Sequence, residues 1–191
     1  MGRPAVNYLK SFIPWIAFAV VATQFDWRWS ALTGLVLAAV LLAVARREGR
    51  KAATLIIELS ALAFFALLTV VAFSFPASPL KTYTGALTDA WLALTAWGSI
   101  LLRRPFTLGI AKTMTPPELW DNPGFKRVNL IITLVWAVSF TVTGLAGIAL
   151  LHYAPHATAA LIVLKVLGFA VPVAFTVRYP RIVRARAQKA A

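Results

Sequence analysis

Long apolar blocks separated by short polar connections are the dominant pattern of this chain. The blocks lie near 8–24, 29–45, 54–75, 84–102, 128–151 and 158–177. Because apolar residues fill each block without amphipathic spacing, the pattern predicts membrane-spanning helices. A crossing needs about 20 residues, so the first block, with its short apolar core, is expected to extend towards Tyr8, tilt strongly or be half-buried. The sequence therefore predicts an all-α membrane protein, a polytopic bundle of about six transmembrane helices.

The longest polar passage, Arg103–Asn129, separates four blocks from the last two. We expect its part 103–127 to be a cytoplasmic loop in which Phe106–Met114 forms a short helix on the membrane surface. Thr115–Glu118 has capping-box spacing, which predicts a turn that Asn122-Pro123-Gly124 ends. The sequence thus predicts one transmembrane domain, 1–180, and a basic cytoplasmic tail, 181–191.

Composition supports the membrane class. The chain is 60% apolar with a mean hydropathy of +0.79, and 13% of its residues are charged, whereas a soluble domain is about 45–50% apolar. A net charge of +13 and a pI near 11.2 raise the question of nucleic acid. The basic residues lie between and after apolar blocks, where they orient spans and meet anionic lipid, so no nucleic acid partner is expected.

The basic residues are strongly biased towards alternate connections. Sixteen of the 19 Lys and Arg residues belong to the N-terminal stretch, the second and fourth connections and the tail. The opposite side holds Arg28 and Lys81, and Lys165 lies inside a block. Since positive charge remains on the cytoplasmic side, both termini are expected in the cytoplasm.

Three ionisable residues interrupt the apolar blocks. Glu58, Asp89 and Lys165 each cost roughly 2.5–3.5 kcal/mol at mid-span, so each needs a partner or water. For Glu58 the expected partner is a basic residue of the second connection, Arg46 or Arg50, or water. Asp89 and Lys165 lie at similar depths from the outer side, so we expect them to pair and hold the fourth and sixth spans together, while a proton or ion path remains an alternative.

The fourth connection supplies the candidates for contact with lipid or a partner protein. They are Arg103, Arg104, Trp120, Lys126, Arg127 and Asn129. The expected partners are anionic membrane lipids, other membrane proteins, and a second copy of the chain. The chain has no cysteine, and none of the sequence patterns that hold phosphate, a divalent metal or a nucleophile–base pair occurs in it. No enzyme activity, cofactor or metal is therefore expected.

Several short motifs, in order and spacing, resemble the intracellular septation protein A family of bacterial inner-membrane proteins. The residues that carry the likeness are Gly98-Ser99, Arg103-Arg104-Pro105, Trp120, Phe125–Leu130, Trp136, Phe140 and Leu164–Gly168. The likeness extends over roughly Tyr8 to Pro180, although Leu164 and Leu167 stand where the family carries aromatic residues. The resemblance implies a multi-pass inner-membrane protein linked to septation or envelope upkeep, with no established catalysis.

Two functions follow as hypotheses. The first is a non-enzymatic membrane protein that supports envelope maintenance or septation through partner proteins and lipid. The second is a small transporter or channel whose path is lined by Glu58, Asp89 and Lys165.

Overall fold

Seven α-helices make up most of residues 3–154 and 156–189, the part of the chain that this computed structural model describes. They are α1 (Arg3–Val21), α2 (Trp27–Arg47), α3 (Ile56–Ser74), α4 (Thr84–Leu101), α5 (Phe106–Lys112), α6 (Pro123–Tyr153) and α7 (Thr158–Lys189). Short 3-10 helices occupy three connections, at Ala52–Thr54, Pro79–Tyr83 and Pro117–Leu119. No strand occurs within these ranges, so the predicted all-α class is confirmed.

Four helices, α2, α3, α6 and α7, are long and apolar enough to cross a membrane. A fifth span is added if α4 and α5, which are bent by 79°, are taken as one broken crossing. In the described part of α1, Lys10–Val21 forms a shorter apolar helix, and a full crossing needs about 20 residues. Length and composition therefore define a multi-pass protein with four or five spans, and the expected count of about six stays a prediction.

Helix α6 begins before the predicted block because Asn122 caps it. Asn122 Oδ1 accepts hydrogen bonds from the backbone N–H groups of Gly124 (2.8 Å) and Phe125 (3.2 Å). Pro123 then occupies the first helical position, where its missing N–H costs nothing. The prediction that this tripeptide ends the preceding turn is confirmed, but the 31-residue helix that starts there was not predicted. The predicted Thr115 cap was wrong, because the 3-10 helix at Pro117–Leu119 is capped by Pro116 without a side-chain hydrogen bond.

Helix α7 continues through most of the expected basic tail to Lys189. Ala, Arg, Gln and Lys are good helix formers, and cations near a helix C-terminus are favoured by the macrodipole. The basic residues 181–189 therefore lie on the last turns of a long helix.

The short helix α1 lies in the core. Its Phe12 is 1% exposed and stacks on Trp136 of α6 with ring centroids 4.8 Å apart. The same ring meets Phe169 of α7 edge-on at 5.4 Å. One turn further on, Trp15 packs 4.9 Å from Phe65 of α3. Offset and edge-to-face aromatic pairs of this kind are favourable beyond their buried area, so α1 ties α3, α6 and α7 together.

Tertiary contacts gather the basic connections at one end of the bundle, which we call the basic end. It comprises the connection 48–55, the connection 102–122, the first turns of α6 and the C-terminal turns of α7. Helix α5, which belongs to the connection 102–122, packs against Thr54 of the connection 48–55. The connection 102–122 and α7 also line a common cleft. At the other end Trp27 Nε1 donates to the carbonyl of Pro76, 3.1 Å away.

Candidate functional site

Glu58 forms a buried polar network at the basic end. It lies in the first turn of α3 and is 5% exposed. Its Oε1 accepts hydrogen bonds from Ser11 Oγ (3.0 Å) and from Arg50 Nη2 (3.2 Å). Of the partners expected from the sequence, the structure selects Arg50. Ser11 was missed, because a serine at the start of an apolar block carries no signal for a contact so distant in sequence.

A glycine turn positions Arg50 for this contact. Helix α2 ends at Arg47, and Gly49 follows with φ +75°, a conformation that glycine adopts without strain. The Gly49 N–H donates to Arg46 O (3.0 Å) and the Arg50 N–H to Ala45 O (3.1 Å), the two bonds of a Schellman motif. Gly49 therefore ends α2 and turns Arg50 back towards α3.

The predicted pairing of Asp89 with Lys165 is confirmed. Asp89 Oδ2 on α4 accepts a hydrogen bond from Lys165 Nζ on α7. The same ammonium donates to the carbonyl of Gly85, 2.9 Å away. Asp89 is 7% exposed, whereas the Lys165 side chain remains 37% exposed. The pair therefore joins α4 to α7 and satisfies a buried carboxylate that would be costly alone.

The break between α4 and α5 is built by capping at Arg103. Arg103 has φ +54°, the left-handed region that non-glycine residues rarely adopt. The Arg103 N–H donates to Ile100 O and the Arg104 N–H to Ser99 O, both at 2.8 Å. Ser99 Oγ then accepts from the N–H of Phe106 (3.1 Å), the first residue of α5. Both arginine side chains are exposed at this turn, which agrees with their expected role as contact residues.

Helix α5 is buried in the protein, so the prediction of a helix on the membrane surface was wrong. Its buried residues are Phe106, Thr107, Gly109, Ile110 and Ala111. Gly109 allows this burial, because a Cβ there would lie 2.4 Å from the carbonyl oxygen of Thr54. Thr107 Oγ1 donates to the carbonyl of Asn129 (2.9 Å) on α6. Small residues and an internal threonine thus direct α5 inwards, a signal that its short sequence carries only weakly.

Asn129 was predicted to contact lipid or a partner protein at the surface of the fourth connection, but the structure buries its side chain. It is 2% exposed on α6, and its Nδ2 donates to the Phe125 carbonyl at 2.9 Å. Among the described residues its Oδ1 has no hydrogen-bond partner. Burial follows from the position of α5, which covers this turn of α6 through Thr107. Lys126 and Arg127, one turn earlier, are exposed as expected.

The connection before α6 holds charged and aromatic groups at the surface. Trp120 is half-buried, donates from Nε1 to Thr115 O (2.9 Å), and has the ammonium of Lys112 5.0 Å from its ring centroid. Lys126 Nζ donates to Asp121 Oδ1 at 2.8 Å, and this contact lowers the pKa of Asp121. Lys112, Trp120 and Lys126 are therefore fixed in place rather than free.

A cleft of about 570 Å³ opens at the basic end between the connection 102–122, α6 and α7. Apolar side chains make up most of its wall: Met114, Leu119, Val128, Ile132, Val177 and Val183. Arg181 and Arg184 line it from α7, and the buried Asn129 lines it from α6. Sequence reasoning missed this site, because it depends on α5 folding inwards and on α7 continuing past the membrane block.

Contact between α6 and α7 depends on one glycine–proline pair. Because Pro172 has no N–H, the Gly168 carbonyl lacks its helical partner, and Ser139 Oγ of α6 donates to it at 2.6 Å. At Gly168 a Cβ would lie 2.1 Å from Cγ2 of Thr143, so only glycine permits this approach. Gly168 and Pro172 therefore provide a packing contact within a helix that remains continuous.

Together these features provide two carboxylates within apolar helices, each paired with a basic residue, and a basic, partly apolar surface at one end of the bundle. No group of three or more metal-ligating residues occurs within the described ranges. No family model, curated protein or solved structure matches this chain.

Proposed function

We propose that this chain is a non-enzymatic protein of the bacterial inner membrane that supports cell-envelope maintenance or septation. Partner proteins and anionic lipid would meet it at the basic end. The observation that carries the proposal is the exposure of Arg103, Arg104, Lys126 and Arg127 together at that end. The resemblance to the septation family points in the same direction.

The proposed arrangement has six membrane-inserted segments with both termini in the cytoplasm. The bias of basic residues supports it, because positive charge stays on the cytoplasmic side. It is also supported by the folding of the connections 48–55 and 102–122 and the end of α7 against one another. In this arrangement α1 is a short segment that is inserted mainly by its contacts with α3, α6 and α7.

The pairing of the intramembrane charges supports a scaffold, a protein that holds partners together, more than a transporter with a path for solutes. Glu58 is held by Ser11 and Arg50, and Asp89 by Lys165. Removing one partner of a buried ion pair is strongly destabilising, because it leaves an uncompensated charge. A role in holding the bundle together therefore accounts for these residues without movement of an ion.

A pull-down in mild detergent from the native membrane tests whether the protein acts as a scaffold for partner proteins. We expect envelope or division proteins to co-purify in stoichiometric amounts with the wild type, and to be lost from Arg103→Ala/Arg104→Ala and from a chain ending at Pro180. The matched control is Arg28→Ala/Lys81→Ala, which removes the same charge from the opposite end. A protein that purifies alone in every form would contradict the proposal, and so would equal loss from both double variants.

A second candidate function is a small transporter or channel, which one observation favours. The side chain of Lys165 remains 37% exposed beside the buried Asp89, and intramembrane pairs with one accessible partner occur in proton and ion paths. Substituting Lys165→Met would abolish solute flux in proteoliposomes if this function holds. Flux that persists in a folded Lys165→Met protein would contradict it.

A further inference from the structure

We propose that the cleft at the basic end binds one anionic phospholipid, with an acyl chain against its apolar wall and the phosphate on Arg181 and Arg184. The proposal rests on the proposed membrane insertion of α6 and α7. It goes further by assigning one defined lipid site to residues that the sequence did not single out. Its volume of about 570 Å³ lies within the roughly 300–1,000 Å³ range of ligand sites in proteins.

The charge of the cleft is positive without internal compensation. Arg181 and Arg184 both line it and both side chains are exposed. No Asp or Glu is among the lining residues, and none of the four ion pairs in the described part of the chain includes either arginine. Guanidinium groups bind phosphate with paired hydrogen bonds, so this end of the cleft fits an anionic head group.

The position of these arginines along α7 also matches the expected depth of a lipid phosphate in the membrane. The apolar block of α7 ends near Val177, and Arg181 follows one turn later, about 6 Å further along the helix axis. Charged side chains at this distance from a hydrocarbon core lie among lipid head groups. The N-terminus of α6, at Asn122 and Gly124, borders the same cleft and adds the positive end of a helix dipole.

Native mass spectrometry of the full-length protein tests the site. The protein is released from nanodiscs of phosphatidylcholine containing phosphatidylglycerol, and the retained lipids are counted. We expect one phosphatidylglycerol per chain, with affinity lowered about 100-fold in Arg181→Gln/Arg184→Gln, since a hydrogen bond between each guanidinium and the charged phosphate contributes roughly tenfold. The matched control Arg178→Gln/Arg186→Gln removes the same charge from exposed positions of α7 outside the cleft, and should retain the lipid.

One further variant separates the site from general charge. Val128→Trp fills the cleft and leaves both arginines, so it should also release the lipid. Equal losses in both arginine double variants, or retention by the first of them and by Val128→Trp, would overturn the proposal.

The lipid measurement and the pull-down test two separate proposals, so either proposal can be refuted while the other stands. A chain that retains one phosphatidylglycerol yet purifies without partner proteins would refute the scaffold and keep the lipid site. A chain that captures partners but shows no selective lipid would do the reverse.

Discussion

At the scale of single residues, the backbone of Arg103 is the most unusual feature of the chain. It is the one described non-glycine residue with a positive φ, at +54°. The corresponding turn after α2 uses Gly49 with the same pair of capping bonds. A left-handed conformation costs an L-residue roughly 1–2 kcal/mol. Retaining arginine at a position suited to glycine is consistent with a contact role for its exposed side chain.

Replacing Arg103 with glycine should therefore stabilise the protein. We expect the free energy of unfolding of Arg103→Gly to rise by about 1 kcal/mol, because strain is relieved while the capping bonds remain. Thermal unfolding in detergent measures it. Arg104→Gly is the control, since its backbone is not left-handed, and it should bring no gain. Equal gains from both variants would show that charge, rather than strain, sets the effect.

The ion pair between Asp89 and Lys165 makes a second prediction. Asp89→Asn and Lys165→Met should each lower the free energy of unfolding by roughly 2 kcal/mol. Removing one partner of a fully buried pair costs about 3–5 kcal/mol of stability. The expected loss is smaller here because Lys165 is partly exposed.

The double variant should cost less than the two single changes combined, because it leaves no unpaired charge. Unfolding in detergent of all four proteins gives the coupling energy. Additive losses would mean that the two side chains do not stabilise each other.

Sequence reasoning identified the charged residues well and the polar ones poorly. Charges inside apolar blocks must find partners, so Glu58, Asp89 and Lys165 stand out in the sequence. Asn129 was placed at the surface because it adjoins Lys126 and Arg127. Its burial depends on α5 folding inwards, which residue type does not show.

At the scale of helices, hydropathy located the elements but not their ends or their depth. Each predicted block corresponds to a helix, yet α6 and α7 continue beyond the hydrocarbon-like segments at one end. Caps decide where α6 begins, and helix-forming Ala and Arg decide how far α7 runs. Neither is governed by hydropathy. The inward position of α5 rests on tertiary contacts at Gly109 and Thr107.

The contact between α6 and α7 gives a prediction at this scale. Ser139→Ala should lower the free energy of unfolding by about 1 kcal/mol, within the range measured for hydrogen bonds between membrane helices. The physical reason is the free carbonyl of Gly168 opposite Pro172.

In a Pro172→Ala background the backbone N–H returns and satisfies that carbonyl, so Ser139→Ala should then cost clearly less. Chemical unfolding of the four proteins measures this difference. An unchanged cost in the alanine background would show that Ser139 stabilises the protein in some other way.

At the scale of the whole molecule, the arrangement in the membrane is the main prediction. Reporters fused to either terminus should both report the cytoplasm, because 16 of the 19 basic residues belong to segments expected there. A reporter in the connection between α3 and α4 should report the opposite side and serves as the control. An N-terminal reporter outside the cytoplasm would mean that α1 does not cross.

The stacking of Phe12 on Trp136 and its contact with Phe169 bear on how the protein is made. Of the seven helices, α1 leaves the ribosome before the others, yet two of the rings that pack on its Phe12 belong to α6 and α7. This part of α1 must therefore wait, incompletely packed, until α6 and α7 have been inserted. Its final docking is expected to complete assembly, and chains released before α6 and α7 would expose α1 to quality-control proteases.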